Sequence, residues 1–361
     1  MRYWGITGTN GKTTCTWIFA EFLNACPGRK CGYITTVEVF DGQDRYYTGY
    51  TTPPWQQLEE IYAKMEAHGC TDCVMEVSSH AIHQHRTGST PFSGGAFTNL
   101  SEDHLDYHKT MEAYFEVKLD FARWMPPGAP YIVGLDGENC EKMYAAVKAL
   151  GSVDALGVSI ANPAFDLTGL QLVGDYNRSN VLVSATLAEK AGVDHATIER
   201  VIPTLKPRWG RLEYVENPRV KAKVYVDFAH TPDGLEKVLT AARGFCRGCL
   251  WVVFGAGGDR DPMKRPLMGE VCARLADRLV VTSDNPRSED PQAIIAAILG
   301  GVGEKKEVIA EPDRKAAIHF ALANAETDDV VIIAGKGHET TQEIKGVKYP
   351  FDDREMVRSE K

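Results

Sequence analysis

The sequence predicts an α/β protein of two successive domains: a central domain built on a P-loop-type parallel sheet, then a second, Rossmann-like α/β domain. Three observations carry this. Apolar runs of strand length alternate with helix-period segments along the whole chain, the pattern of mainly parallel sheets. The first apolar run leads into a glycine-rich turn, Gly5-Ile6-Thr7-Gly8-Thr9-Asn10-Gly11-Lys12-Thr13-Thr14, and then into a helical pattern. The alternation breaks clearly once, at 203–211, where Pro203, Pro207 and Gly210 set domains of 1–206 and 207–361.

In the first domain, strands are predicted over 3–7, 73–77, 95–98, 131–134 and 155–158. Helices are predicted over 13–25, where Trp17, Ile18, Phe19, Phe22 and Leu23 recur at helical spacing, and over 54–68, 111–124 and 138–150. The stretch 167–173 reads as strand-like, and 180–191 and 194–201 read as a helix pair. In the second domain, strands over 222–226, 249–254, 278–282, 307–309 and 329–333 are separated by helices over 234–243, 265–276, 291–299 and 314–323. The charged stretch 349–360 reads as a final helix or an ordered cap.

Composition narrows the classes. With 361 residues, 43% hydrophobic and 25% charged, the chain has length and apolar content for two cores. A formal net charge of -9 argues against a general nucleic-acid binder. No apolar run reaches the roughly 18 residues that span a bilayer, and no apolar signal core precedes Gly5, so a cytoplasmic location is expected. Nine scattered cysteines without a secretory leader read as reduced thiols. The pairs Cys70/Cys73 and Cys246/Cys249 lie too far apart in sequence to suggest a compact metal knuckle.

Chemistry concentrates at the ends of the predicted strands, where ligands gather in open α/β sheets. The turn at 5–14 offers backbone N–H groups and a helix N-terminus to a phosphate, Lys12 to the terminal phosphates, and the Thr13 hydroxyl to Mg²⁺. It departs from the general G-x-x-x-x-G-K-[ST] spacing, having Ile6 where a glycine is expected. Met75-Glu76-Val77-Ser78-Ser79-His80-Ala81 places Glu76 as a hard oxygen ligand or a helix cap. Ser79 and His80 could also pair as nucleophile and base, but no third, orienting group is identifiable. Residues 97–108, FTNLSEDHLDYH, concentrate acids and histidines, including His104. Lys118 follows on a helix and, by itself, reads as a surface lysine.

In the second domain, Asp227-Phe228-Ala229-His230, Gly255-Ala256-Gly257-Gly258-Asp259-Arg260, Asp284-Asn285-Pro286-Arg287 and Gly335-Lys336-Gly337-His338-Glu339 all follow strands, so a parallel sheet would collect them at one edge. Arg260 and Arg287 could take a carboxylate by forked hydrogen bonds and Glu339 an ammonium, which together suit a zwitterionic amino acid.

These motifs resemble those of the Mur ligases, ATP-dependent amide-forming enzymes of peptidoglycan precursor synthesis, and most nearly those that add the third residue to a UDP-N-acetylmuramoyl dipeptide. The likeness runs along nearly the whole chain: GTNGKTT at 8–14, MEVSSHA at 75–81, FTNLSEDHLDYH at 97–108, DFAHTPDGLEKVL at 227–239, GAGGDRDPMKRPLM at 255–268, DNPR at 284–287 and GKGHE at 335–339. It implies ATP and Mg²⁺ as cofactors, an acyl-phosphate intermediate, and a split into an ATP-binding and an amino-acid-binding domain. By the same resemblance, Gly8, Thr9, Asn10, Gly11, Lys12, Thr13, Thr14, Asn177, Asn180, Arg211 and Asp227 match nucleotide-binding positions. Lys12, Glu76, His104 and Lys118 match catalytic ones. Thr13, Glu76, His104 and a carbamylated Lys118 serve the metals, which reverses the bland reading of that lysine.

Thr51, Thr52, Ser78, Gln84 and Arg86 match acceptor-binding positions. Arg260, Asp284, Asn285, Pro286, Arg287, Gly335 and Glu339 match amino-acid-binding positions, with Arg287 pointing to meso-diaminopimelate. Two departures stand out. Tyr50 occupies a position usually held by asparagine, and Met1 lies almost on the first strand, where relatives carry a uridine-gripping domain of about a hundred residues. Either the sequence is a truncated piece of a longer chain, or, the reading that Met1 favours, it is a naturally short, monomeric member that holds its acceptor differently or uses a separate uridine-binding domain or protein. Relatives of poly-glutamate, folylpolyglutamate or specialised-metabolite specificity, a half-enzyme and a plain NTPase are the alternatives.

Overall fold

The computed structural model describes residues 1–303 and 308–360. The chain divides into two compact units, Met1–Lys206 and Pro207–Lys361.

The first unit holds an eight-stranded sheet of β1 (Arg2–Thr7), β2 (Cys31–Ile34), β3 (Val39–Phe40), β4 (Arg45–Tyr46), β5 (Asp72–Glu76), β6 (Phe92–Phe97), β7 (Pro130–Gly134) and β8 (Asp154–Val158), in the order β4-β3-β2-β5-β1-β6-β7-β8. From β2 to β8 every pairing is parallel, while β3 and β4 add an antiparallel edge. Strands covered on both faces must be apolar along their length, and β5 is buried at all five positions. The helices are α1 (Lys12–Asn24), α2 (Trp55–Ala67), α3 (Ser79–His83), α4 (Leu105–His108), α5 (Met111–Arg123), α6 (Cys140–Leu150), α7 (Asp175–Lys190) and α8 (His195–Val201). Helix α1 is buried on most of its surface because it packs on both the sheet and α7.

The second unit has β9 (Glu213–Tyr214), β10 (Lys223–Asp227), β11 (Leu250–Phe254), β12 (Arg278–Val281), β13 (Val308–Ala310) and β14 (Val330–Ala334), ordered β13-β12-β11-β14-β10-β9. All neighbours are parallel except β9. Helices α9 (Pro232–Arg243), α10 (Lys264–Leu275), α11 (Pro291–Val302) and α12 (Arg314–Asn324) connect them. A separate antiparallel hairpin, β15 (Thr341–Ile344) and β16 (Val347–Pro350), precedes the helix α13 (Asp353–Arg358). Strand β14 reads Val-Val-Ile-Ile-Ala and is wholly buried, each such branched side chain contributing about 1.5–3 kcal/mol by its removal from water. No helix among the described residues is long and apolar enough to cross a membrane.

The α/β class, the parallel sheets and the second sheet domain are as the sequence predicts. The stretch 167–173 is not a strand. Asp166 accepts from the Thr168 N–H at 2.8 Å, Leu170 N–H donates to the Leu167 carbonyl, and Gly169 has φ 78°, so Asx-turn chemistry overrides the alternation. Helix α7 begins five residues before the predicted start, its polar first turn having masked the helical period. Of the predicted strand at 307–309, position 307 lies outside the described residues. The nine cysteines are free thiols.

Candidate functional site

In the first unit, the turn between β1 and α1 is shaped by two glycines. Gly8 has φ 144° and Gly11 φ 85°. A Cβ at Gly8 would fall 1.9 Å from Thr98 Oγ1, and one at Gly11 2.3 Å from Asn180 Oδ1, so both positions exclude a side chain. The β6 end buttresses the turn. Thr98 Oγ1 and Asn99 Nδ2 donate to the Asn10 carbonyl at 2.6 and 3.0 Å, and the Asn10 N–H donates to Asn99 Oδ1 at 3.0 Å. Asn180 of α7 accepts at Oδ1 from Cys15 Sγ at 3.4 Å, which brings it beside Gly11 of the loop. Asn177 instead donates to the Val173 carbonyl within its own helix region, and no described contact carries it to the loop.

Lys12 Nζ donates to the carbonyls of Gly8 (3.0 Å) and Thr9 (2.9 Å), and Lys118 Nζ donates to the same Gly8 carbonyl at 2.8 Å. Lys118 is 1% exposed. Burial first, then the nearby Lys12 cation, lowers its amine well below the lysine range, which favours the neutral form. The surface reading of Lys118 is therefore corrected: α5 carries it on the inward face, beside Tyr114. His104 sits at the mouth of the sheet with φ 56° and its ring edge-on to His80. Partial burial, with His80, Lys12 and Lys118, holds its imidazole down to about 4 against the opposing Asp103 carboxylate.

Glu76, the last residue of β5, is 1% exposed and accepts from Thr36 N at 2.8 Å and Thr36 Oγ1 at 3.2 Å. The α3 cap is Ser78, not Glu76. Ser79 pairs with His108 Nε2 at 2.9 Å rather than with His80, and among the described residues no carboxylate bonds that histidine to complete a hydrolytic triad. Thr36 belongs to this cluster and was not picked out by sequence, and Ser79, read from sequence as a partner for His80, is held by His108 instead. Thr36 lies two residues past the short β2, where no motif marks it.

A second cluster in the same unit gathers the expected acceptor positions. Thr51 Oγ1 meets Thr36 Oγ1 at 2.9 Å. Thr52 Oγ1 donates to the Glu76 carbonyl at 2.8 Å and accepts from Ser78 N at 3.0 Å. Arg86 Nε donates to Gln84 Oε1 at 2.8 Å, Gln84 Nε2 donates to Tyr107 OH at 3.0 Å, and the Arg86 guanidinium lies 5.8 Å from the Tyr50 ring centre. Tyr50 thus gives an exposed aromatic face beside that arginine.

In the second unit, the parallel strands deliver their loops to one edge. The Asp284-Asn285-Pro286-Arg287 loop and the Gly335–Glu339 turn meet through Asn285 Nδ2, which donates to Glu339 Oε2 at 2.8 Å. Lys336, fully buried, donates to Glu339 Oε2 (2.8 Å) and Asn285 Oδ1 (3.2 Å). Its contribution is legible in hindsight as the i,i+3 spacing inside GKGHE. Asp284 Oδ2 is buried and accepts no hydrogen bond among the described residues, an acceptor available to an ammonium. Arg287 Nη1 donates to the Gly258 carbonyl at 2.6 Å, and its Nε lies 3.7 Å from Glu343. A Cβ at Gly257 would lie 3.0 Å from Arg287 Nη1 and 3.7 Å from Arg260 Cγ, so the two arginines flank that glycine. Arg260 is otherwise exposed. Asp227 accepts from the N–H groups of Leu212 (2.6 Å) and Ala229 (2.7 Å). Burial raises its carboxyl against the pull of Arg211, whose guanidinium stacks over Phe228.

The family description "Mur ligase middle domain" matches residues 6–185, and "Mur ligase, glutamate ligase domain" matches residues 210–337. UDP-N-acetylmuramoyl-L-alanyl-D-glutamate–2,6-diaminopimelate ligase of Synechococcus elongatus is 41% identical over 383 residues, 99% of this chain and 76% of the relative. The Bacillus cereus enzyme of the same name is 40% identical over 380 residues, 98% and 77% of the two chains. A solved structure of a ligase of that name superposes with a TM-score of 0.63 at 32% identity, over 99% of this chain and 78% of the other. Folylpolyglutamate synthase of Mycobacterium tuberculosis, complexed with ADP and AMPPCP, superposes with a TM-score of 0.68 at 18% identity, covering 92% and 88%, and shares the fold.

Proposed function

The chain belongs to the Mur ligase family, and from that membership we propose that it joins meso-diaminopimelate to the glutamyl carboxylate of a UDP-N-acetylmuramoyl dipeptide, or a smaller related acceptor, in peptidoglycan precursor synthesis. ATP drives the reaction. The acceptor carboxylate attacks the γ-phosphorus and ADP leaves. The amine then attacks the acyl phosphate, losing a proton as phosphate departs. No enzyme nucleophile is required, so the residues act by positioning and charge stabilisation.

The loop amides of residues 8–14 and Lys12 receive the phosphates. Thr13 and Glu76 offer the hard oxygen donors that Mg²⁺ prefers, and bound there it would offset phosphate charge. Buried Glu76, at a strand end beside the phosphate loop's own strand, fits that role. Lys118 as an ammonium does not fit a metal. Its weakened basicity favours addition of CO₂ to the neutral amine, the new N–C bond forming as a proton leaves to solvent, which gives an anionic carbamate that does. Thr51, Thr52, Ser78, Gln84 and Arg86 hold the acceptor. Arg260 and Arg287 take carboxylates of the incoming amino acid, while Asp284 and Glu339 take its ammonium.

The observation that carries the amino-acid assignment is the buried, unbonded Asp284 Oδ2 in the same cluster as Glu339 and Asn285. The test is phosphate release from ATP with paired acceptors, one with and one without the UDP group, followed by mass analysis of product. Release should require acceptor and diaminopimelate together. Equal support by lysine, or release without an acceptor, overturns the assignment.

A further inference from the structure

We propose that Arg314 is the positioning residue of the amino-acid site, and that Asp353 of α13 sets, through it, how tightly that site holds its substrate. This rests on the reading of the second unit as the amino-acid-binding part. Both side chains are fully buried and joined in a bidentate pair, Nε to Oδ1 at 2.8 Å and Nη2 to Oδ2 at 2.7 Å. The same guanidinium donates from Nη2 to the Ala334 carbonyl at 2.9 Å and from Nη1 to the Ser283 carbonyl at 3.3 Å. Those are the residues immediately before the two loops that carry the ligand groups, Asp284–Arg287 and Gly335–Glu339.

The loops meet beside this fork. Gly335 has φ 117°, and a Cβ there would lie 2.4 Å from Asp284 Oδ2 and 4.0 Å from Arg314 Nη2. One planar group therefore fixes the spacing between the Asp284 and Glu339 loops, and its positive charge faces both carboxylates as well as Asp353. Only arginine has the number and fan of N–H donors for this; a lysine could keep the charge but not the set of four bonds. Arg314 is also the first residue of α12, where a cation opposes the helix dipole. The helix dipole therefore does not account for a cation here, whereas its bonds to the Ser283 and Ala334 carbonyls bear directly on the loops.

The test measures steady-state constants for diaminopimelate and ATP separately, with unfolding midpoints, in Arg314→Lys, Asp353→Asn and the control Arg243→Ala, which breaks the exposed Arg243–Asp277 bridge of the same unit. Arg314→Lys and Asp353→Asn are expected to raise the KM for diaminopimelate by about tenfold or more, with the KM for ATP within about twofold and cooperative unfolding retained. Arg243→Ala should leave both constants alone. The proposal is overturned if the two KM values rise together, if neither moves, if the control behaves like the test variants, or if both test variants lose cooperative unfolding, which would make the pair a strut only. If the unmodified protein prefers another amino acid, the functional reading above falls, and Arg314 is tested with the amino acid that does drive phosphate release.

Discussion

Replacing Gly11 with alanine isolates what the phosphate loop demands of the chain. The residue sits at φ 85° and ψ -13°, as the N-cap of α1, a left-handed conformation that penalises an L side chain by about 1–2 kcal/mol. The new Cβ would also stand 2.3 Å from Asn180 Oδ1, and overpacking of that kind typically costs about 1–3 kcal/mol. Together these give about 2–5 kcal/mol in urea unfolding of Gly11→Ala, with a raised KM for ATP because Asn180 must move. The double variant Gly11→Ala/Asn180→Ala should recover the steric part and keep the backbone part, a positive coupling of about 1–3 kcal/mol. A single-variant loss under about 0.5 kcal/mol, or strictly additive behaviour in the double variant, refutes the reasoning.

Three further outcomes are expected. Lys118→Met should fold with an unfolding midpoint equal to or above the parent's, since an apolar side chain replaces a buried amine, while phosphate release falls by about a thousandfold or more; retained turnover would remove Lys118 from the chemistry. Arg287→Ala should lower kcat/KM for diaminopimelate by about a hundredfold and that for lysine by less than about threefold, measured side by side, and equal losses would discard the side-chain carboxylate assignment. Burial, followed by the cations Arg211, Arg354 and Lys336, lowers His338 from 6.5 to about 3. Between those values the unfolded chain binds a proton that the folded one does not, so the stability present above the unfolded value is lost as pH falls. Urea unfolding should show a loss of about 1 kcal/mol from this group between pH 7 and 5, after allowance for its partial exposure, and His338→Gln should flatten the slope by that amount.

What the sequence made legible was the part governed by period and by motif. The long strands and helices emerge at nearly their observed ends because buried parallel strands are uninterrupted apolar runs and the helices between them keep a 3.6 period. The two-residue strands β3 and β4 escape any such pattern, being edge pieces set by their turns. Thr51, Thr52, Ser78, Gln84 and Arg86, scattered over 36 positions of the numbering, form one hydrogen-bonded neighbourhood that only the fold assembles. Lys118 illustrates the limit most clearly. Its position on α5 gives no sign that its amine is buried against the Gly8 carbonyl, because that contact joins residues 110 apart. Arg314 and Asp353, 39 apart, were invisible for the same reason.

The hairpin β15–β16 lies outside both large sheets yet clasps the DNPR loop. Arg287 N–H donates to the Glu343 carbonyl at 3.0 Å, Lys345 N–H to the Arg287 carbonyl at 2.6 Å, Glu343 N–H to Asn285 Oδ1 at 2.9 Å, and Gln342 Nε2 to the Asp284 carbonyl at 2.8 Å. This imposes an order on biosynthesis. A nascent chain can complete the phosphate loop and its buttress from residues 8–180, because domains fold as units from the N-terminal side. The Asp284–Arg287 loop waits for residues 342–345 to emerge from the ribosome, and the buried partner of Arg314 emerges later still. A translation product cut short after the second sheet would keep the 8–14 loop and its buttress but lose the clasp on the 284–287 loop, so on the proposed assignment truncation would spare nucleotide capture and impair amino-acid choice.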